Sequence, residues 1–268
     1  DNLKRHLENY QRVKNVTIEF DKIDLSFYND FVEYLTLKLL LAPNTIGKLI
    51  TNLKVFLREA FDEGITTNNI FTNRKFRSNN SLADTIYLTQ IEIDEILSLD
   101  LSNSVKLEKV RDMFIIGCHT GLRFSDIVNI RPENINDGLI ELTQVKTKEQ
   151  IAVPMTKVAE LLLSKYNFTI PKISNQKFND YLYEVVKQCE GLNIEIKKIA
   201  IQGGKKNEIN KPKYEFVTSH TARRSFATNE YKLRNLTTRE IMSITGHKTE
   251  KSFYKYIRET PKESAERI

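Results

Sequence analysis

The sequence predicts a mainly α-helical protein of the α+β class, with a helical first domain and a mostly helical second domain that carries a small β-hairpin. Apolar residues recur at helical spacing in most segments, whereas the alternation typical of strands is clearest between residues 139 and 154. The 268 residues are enough for two modest hydrophobic cores. Hydrophobic residues make up 40% and charged residues 28%, which is ordinary for a globular protein.

Residues 1–67 are predicted to form the helical first domain. Apolar side chains recur at helical spacing from Ser26 to Leu40, and Asp24 or Ser26 can cap the start of this helix. Pro43 interrupts the pattern, and a second apolar helical face follows it. We expect both faces to pack into one core.

Residues 68–83 are predicted to be an extended interdomain linker, because they are polar and show no hydrophobic period. This segment contains the basic residues Arg74, Lys75 and Arg77. They are candidates for contacts with backbone phosphates of a nucleic acid, although basic side chains in such segments are often simply solvated.

The second domain is predicted to span residues 84–268. Its first capped segment begins with Thr89, whose partner Glu92 completes a capping box. Strand-like alternation on both sides of a polar turn indicates a hairpin. The lysine-rich connection is expected to be a short hairpin or a mobile loop. In chain order the expected elements are a helix at 107–117, the hairpin at 139–154, a helix at 176–188, the lysine-rich connection at 196–214 and a helical tail from Ser219.

Charge and cysteine usage narrow the class of protein. The net charge is +6 and the isoelectric point is near 9.1, which suits a polyanionic partner. Cys118 and Cys189 lack metal-ligand spacing, and we expect two reduced thiols in a cytoplasmic protein. No apolar run reaches the length of a membrane span. The start lacks both a signal-peptide pattern and Met, so we expect a fragment of a longer protein.

Two arginines, two histidines and a late tyrosine form an ordered set in the last two-thirds of the chain. They are Arg123, His220, Arg223, His247 and Tyr256. A phosphodiester repels nucleophiles, and negative charge grows on its non-bridging oxygens as a five-coordinate transition state forms. Two fixed guanidinium groups suit that charge, since each offers a planar two-pronged donor to phosphate. The set can therefore hold and attack a phosphodiester without a metal or a cofactor.

Three motifs in this set resemble those of the tyrosine recombinases, also called the phage integrase family. Thr120-Gly121-Leu122-Arg123 is similar to their first box, and His220-Thr221-Ala222-Arg223 matches their His-x-x-Arg element. Thr245-Gly246-His247, followed nine residues later by Tyr256, matches the second box. The resemblance covers nearly the whole chain, as a core-binding and a catalytic domain. Residues 220–229 look most like integrases of Bacteroides-type conjugative transposons and other mobile elements.

The resemblance implies that Tyr256 is the nucleophile, because the nine-residue step selects it over Tyr254. His220 would accept the tyrosine proton or support the phosphate, and His247 would donate a hydrogen bond to the scissile phosphate. Asp126 would orient the side chains around the site.

The family carries a proton-donating lysine on the hairpin between its second and third strands. At that place this chain has Lys146 and a close rival, Lys148, in the turn of the hairpin predicted at 139–154. Arg224 stands where other branches often have histidine, and it is a further candidate for DNA binding.

The implied reaction is site-specific recombination of double-stranded DNA through a 3′-phosphotyrosyl intermediate and a Holliday junction. The resemblance further implies a tetramer on two duplexes, with possible accessory DNA-bending or excision factors. The alternatives are a recombinase of the Xer type that resolves chromosome dimers, a type IB topoisomerase and a catalytically inactive DNA-binding protein. A metal-dependent nuclease is disfavoured, because the sequence has no carboxylate cluster of suitable spacing.

Overall fold

A computed structural model describes residues 2–77 and 85–257, and the fold is mainly helical with small antiparallel sheets. This confirms the predicted fold class. The chain divides into two compact units: Asp1–Asp84 with Lys197–Ile209, and Thr85–Ile196 with Asn210–Ile268. Within the described residues, no helix combines the length and the apolar character needed to span a bilayer.

The first unit is built around three helices with one buried core. Asp24 caps the second helix, since its carboxylate accepts a hydrogen bond from the Phe27 amide at 2.8 Å. Pro43 is the first residue of the third helix, where its missing N–H costs nothing. The core includes Phe31 and Leu57, which are both fully buried. The helices are α1 (Asn2–Lys14), α2 (Leu25–Glu33) and α3 (Pro43–Asp62), with a π-helical turn at Tyr34–Lys38 and a 3₁₀ turn at Phe20–Lys22.

The described part of the predicted linker packs on the first unit instead of extending away from it. Phe71 and Phe76 are buried in the same core as the helices. Two long-range hydrogen bonds hold the backbone there: the Tyr28 hydroxyl donates to the Arg77 carbonyl at 2.8 Å, and the Lys54 ammonium donates to the Phe76 carbonyl at 3.0 Å. Residues 68–77 therefore differ from the extended linker predicted for them, because two phenylalanines carry enough apolar surface to anchor a polar segment. Residues 78–83 lie outside the described part of the chain.

The second unit is organised around one central helix, α5 (Val105–Thr120), which packs against five other helices. Thr89 and Glu92 form the predicted capping box at the start of α4. Most of the C-terminal half of α5 is buried, which is why its sequence is apolar on several faces. The helices are α4 (Gln90–Ser98), α5 (Val105–Thr120), α6 (Phe124–Ile127), α7 (Lys157–Lys165), α8 (Asn175–Val186), α9 (Ser219–Leu233), α10 (Thr238–Thr245) and α11 (Glu250–Tyr256).

A three-stranded antiparallel sheet, in the order β1-β2-β3, lies in the second unit. Ile140 pairs with Val153 across the predicted hairpin, and both side chains are buried. The lysine-rich connection is a second hairpin, which is one of the two structures expected for it. The strands are β1 (Ile135–Asn136), β2 (Leu139–Thr143), β3 (Gln150–Pro154), β4 (Glu195–Gln202) and β5 (Lys205–Pro212).

Candidate active site

The turn after α5 brings two arginines together. Gly121 ends α5 with a left-handed backbone (φ +65°), and Arg123 then starts α6 as its N-cap residue. Arg223, on α9 and 3% exposed, donates from Nη1 to the Gly121 carbonyl at 2.5 Å. A Cβ on Gly121 would lie only 2.4 Å from Cδ1 of Phe226, so both the backbone angle and the close packing require glycine there. The turn therefore positions the guanidinium groups of Arg123 and Arg223 next to each other, since it contains Arg123 and its Gly121 carbonyl binds Arg223.

Tyr256, the last residue of α11, is enclosed by aromatic and cationic side chains. Its ring centroid lies 5.3 Å from that of His220 and 4.8 Å from that of His247. Cζ of Arg224 lies 4.9 Å from the same centroid. The buried Tyr256 hydroxyl is beside the Arg223 guanidinium but has no partner in good hydrogen-bond geometry among the described residues.

Tyr254, the rival tyrosine, has a different environment. It is 49% exposed, and its ring packs edge-on against Tyr231 and Phe253, at 6.1 Å and 5.6 Å between centroids. The ring that contacts both motif histidines is that of Tyr256. The geometry therefore favours Tyr256 as the tyrosine of this cluster.

Burial and the charges around Tyr256 act in opposite directions on the pKa of its hydroxyl. Burial raises the pKa of the Tyr256 hydroxyl, and three nearby guanidinium groups lower it, although burial has the larger effect. The guanidinium groups are those of Arg223, Arg224 and Arg123. Burial also lowers the pKa of Arg223, to about 10, which leaves it positively charged at neutral pH. The phenol is consequently protonated in the free protein, and attack by its oxygen needs a proton acceptor.

His247 is held by the residue two positions before it. Its Nδ1 lies 2.7 Å from the Thr245 hydroxyl oxygen, and that hydroxyl also contacts the Ile241 carbonyl. Because a carbonyl can only accept, the single hydroxyl proton points to Ile241, and the Thr245 oxygen accepts the proton on Nδ1. Neutral His247 therefore has an unprotonated Nε2. Burial lowers the pKa of His247 to about 4, and the charges of Arg223 and Arg123 add to that effect.

His220 is also neutral in the free protein. Loss of solvent on its inner side lowers the pKa of His220 to about 4, and four cations lower it in the same direction. Because the outer side of the ring is exposed, solvent screens part of this effect. The four cations, in order of effect, are Arg224, Arg223, Arg123 and Lys146.

Lys146 lies in the turn between β2 and β3. It is exposed, and its positive charge acts on His220. Asp126, which is 1% exposed, accepts a hydrogen bond from the Val145 amide at 2.9 Å and so anchors this turn to α6. Lys148 has a left-handed backbone (φ +60°) at the other end of the turn. Of the two lysines, Lys146 is the one whose charge acts on a histidine of the cluster.

Two residues of the cluster, Gln144 and Thr245, had no role predicted from the sequence, although Thr245 belongs to the second-box motif. Gln144 is fully buried and accepts a hydrogen bond from Nη1 of Arg123 at 2.6 Å. A sequence signal for it exists: Gln144 continues the inward alternation of Ile140 and Leu142. Thr245 has no comparable signal, because a buried threonine near a helix end is common.

The four candidates for DNA binding separate into two groups. Arg74, Lys75 and Arg77 are exposed on the first unit. Arg224 is 9% exposed and belongs to the Tyr256 cluster in the second unit, so the structure does not place it on a free surface. Within residues 2–77 and 85–257, no three His, Cys, Asp or Glu side chains are grouped so that they could hold a metal ion.

Two family models match the chain. The one described as the phage integrase SAM-like domain matches residues 1–77, and the one described as the phage integrase family matches residues 86–263. A comparison with curated proteins found no match.

Solved structures with a similar fold include two integrases. A lambda integrase dimer bound to a COC′ core site has a TM-score of 0.67 at 18% identity, covering 97% of this chain and 88% of that chain. A Tn1549 transposon integrase in complex with a circular intermediate DNA has a TM-score of 0.68 at 15% identity, covering 99% and 92%. A lambda integrase tetramer bound to a Holliday junction has a TM-score of 0.66 at 18% identity, covering 97% and 72%. At these identities the likeness shows a shared fold.

Proposed function

Because the chain belongs to the phage integrase family of tyrosine recombinases, as its motifs predicted, we propose that it is the integrase of a mobile element. It cuts and rejoins double-stranded DNA at a specific site through a covalent bond to Tyr256. One observation carries the proposal: the buried Tyr256 hydroxyl lies beside Arg223, within the fields of three guanidinium groups and next to two neutral histidines.

In the proposed first step, Arg123 and Arg223 bind the non-bridging oxygens of the scissile phosphate. The Tyr256 oxygen forms a bond to phosphorus while the bond from phosphorus to the 5′ oxygen breaks. The tyrosine proton passes to an imidazole, and Lys146 donates a proton to the departing 5′ oxygen. The product is a 3′-phosphotyrosyl link and a free 5′-hydroxyl. The reverse chemistry, with a 5′-hydroxyl from a partner duplex, rejoins the strand and needs no external energy source.

Both histidines are neutral at pH 7, because the pKa of each is about 4, so each has an unprotonated ring nitrogen that can accept the tyrosine proton. The contact with Thr245 leaves Nε2 of His247 without a proton. That nitrogen can donate to a phosphate only after His247 has been protonated. The expected hydrogen bond from His247 to the phosphate therefore follows proton transfer, which would deliver positive charge when the phosphorus centre becomes most negative.

The proposed partners are double-stranded DNA carrying core-type sites and further copies of this chain. Similar integrases have been solved on core-site DNA, on a circular intermediate DNA and as a tetramer on a Holliday junction, which supports the same assembly here. The assignment to a mobile element rests on the likeness of residues 220–229 to Bacteroides-type integrases. Accessory DNA-bending or excision factors belong to the same proposal.

The first test traps the covalent intermediate. Duplexes from the ends of the element, nicked so that a short strand diffuses away after cleavage, are incubated in EDTA with wild type, Tyr256→Phe and Tyr254→Phe. We expect a denaturation-resistant protein–DNA adduct that is lost only in Tyr256→Phe. Loss only in Tyr254→Phe would overturn the assigned nucleophile, and tight binding without any adduct would favour a DNA-binding protein without activity.

A second assay separates the biological roles. An integrase should join the connected element ends to a different target duplex. Recombination restricted to two copies of one chromosomal site would favour the Xer-type alternative. Relaxation of supercoils without any joining of two duplexes would favour a topoisomerase.

A further inference from the structure

Gln144 makes two hydrogen bonds with one oxygen at the centre of the cluster. Its Oε1 accepts from Nη1 of Arg123 at 2.6 Å and from the Thr147 hydroxyl at 2.7 Å. A guanidinium group can only donate, so the amide oxygen has to face Arg123. The orientation of the amide is therefore set by chemistry. Gln144 is fully buried, which removes water as a substitute for either partner.

The same amide lies against the loop that carries His247. Nε2 of Gln144 is buried and has no hydrogen-bond partner among the described residues. Gly246 packs directly on the amide: a Cβ there would lie 2.7 Å from Oε1 and 3.3 Å from Nε2. A buried donor without a partner costs free energy, and an apolar side chain of similar size would avoid that cost. The presence of an amide here is therefore better explained by the hydrogen bonds of its oxygen to Arg123 and Thr147 than by a contribution to the stability of the fold.

The two partners of Oε1 lead to two different parts of the proposed chemistry. Arg123 is a phosphate clamp, whereas Thr147 follows Lys146 directly in the turn between β2 and β3. The turn also has a backbone anchor, because the Val145 amide donates to Asp126 at 2.9 Å. Asp126 in turn lies 3.8 Å from Nη1 of Arg123. The turn is therefore connected to the Arg123 guanidinium in two ways: by the Thr147 side chain through Gln144, and by the Val145 backbone through Asp126.

We propose that Gln144 is a positioning residue that sets the Arg123 guanidinium and the turn carrying Lys146 in one common arrangement. Arg123, which binds the phosphate, and Lys146, which donates the proton to the leaving group, are then positioned together. This inference rests on the proposed function, and it adds a residue that acts through Arg123 and Lys146 without touching the phosphate. Loss of the amide should slow cleavage roughly 10- to 100-fold, as expected when reacting groups are misplaced by a fraction of an ångström to an ångström.

Two variants separate the two partners of the amide. Gln144→Met keeps the length of the side chain but loses both hydrogen bonds. Thr147→Val keeps the shape of the side chain but loses only the hydrogen bond from the turn. Ile140→Val is the matched control, because it alters a buried residue of β2, the strand that leads to Gln144, away from the cluster. All three should bind DNA as tightly as wild type, and melting temperatures show whether each one folds.

The measurement uses two nicked substrates, one with the normal 5′ oxygen at the scissile phosphate and one with sulfur in its place. When the bond from phosphorus to sulfur breaks, the 5′-thiolate leaves without needing a proton. Sulfur should therefore restore cleavage by Lys146→Ala but not by Arg123→Ala. We expect near-complete restoration for Thr147→Val, partial restoration for Gln144→Met and wild-type rates for Ile140→Val on both substrates.

Each outcome bears on the inference. Wild-type rates for Gln144→Met on the oxygen substrate would overturn it while leaving the proposed function intact. Complete restoration of Gln144→Met by sulfur would also overturn it, since the amide would then act on the turn alone. If Gln144→Met does not fold, an unaltered rate in Thr147→Val would overturn it. Absence of any adduct with wild type would instead count against the proposed function.

Discussion

The guanidinium of Arg224 lies against the ring of Tyr256, with Cζ 4.9 Å from the ring centroid. Arg224 also lowers the pKa of the Tyr256 hydroxyl, against the larger raising effect of burial. A cation over an aromatic ring typically contributes about 0.5–2 kcal/mol. Arg224 was expected from the sequence to contact DNA, but its position suggests that it holds and activates the tyrosine instead.

Arg224→Met should slow formation of the adduct roughly tenfold, because a loss of about 1.4 kcal/mol corresponds to that factor. Its affinity for DNA should keep the salt dependence of wild type, since a guanidinium held against the ring of Tyr256 makes no contact with a DNA phosphate. Single-turnover cleavage and binding at several salt concentrations check the two expectations. A salt dependence reduced by about one phosphate contact would support the original DNA-contact role.

Thr245→Val should disturb the protonation pattern of His247. The variant keeps the shape of the side chain but removes the oxygen that accepts the Nδ1 proton. We expect nitrogen NMR of the imidazole to show a proton on Nδ1 in wild type and a mixture of tautomers in the variant. Cleavage should slow at the same time. An unaltered tautomer would contradict the role of Thr245.

The lowered pKa of His247 predicts a pH dependence of stability. Its pKa is about 4 in the folded protein, against an ordinary value near 6.5 in the unfolded chain. Between these two values the unfolded chain binds more protons, so the free energy of unfolding should fall as pH decreases from 6.5 to 4. The contribution is fully present above pH 6.5.

Denaturant unfolding across this pH window tests the prediction by comparing wild type with His247→Gln. The variant should show a shallower decline, because one of the four histidines whose pKa is lowered in the folded protein is gone. Slopes that agree within error would mean that His247 titrates normally in the folded state.

Gly246→Ala should abolish most cleavage. Residue 246 has φ +58°, and the new Cβ would lie 2.7 Å from Oε1 of Gln144. Gly138→Ala is a matched control, since Gly138 also has a positive φ (+76°) but no heavy atom within 4 Å of the new Cβ. Both variants should lose about 1–2 kcal/mol of stability from backbone strain. Only Gly246→Ala should lose cleavage, and equal rates for the two would argue against the amide contact.

Local sequence signals predicted the elements of the fold well, because each depends on neighbouring residues. Asp24 caps α2, Thr89 opens α4 with a capping box, and Gly121 ends α5. The packing of residues 68–77 was not predictable in this way. It depends on Phe71 and Phe76 reaching a core formed by helices far away in the sequence.

The sequence by itself determined the chemical identity of the cluster. The motif residues and their order pointed to phosphoryl transfer by a tyrosine before any contact was known, since the reaction needs those functional groups. The exposed Arg74, Lys75 and Arg77 remain candidates for DNA contact on sequence grounds alone.

Only the tertiary structure decided which side chains support that chemistry. Arg223 reaches the carbonyl of Gly121 across 102 positions, and Gln144 reaches Arg123 across 21. Such contacts depend on how α5, α9 and the β2–β3 turn pack together. A local pattern contains no information on that packing, so Gln144, Thr245 and the buried position of Arg224 emerged only when the chain was folded.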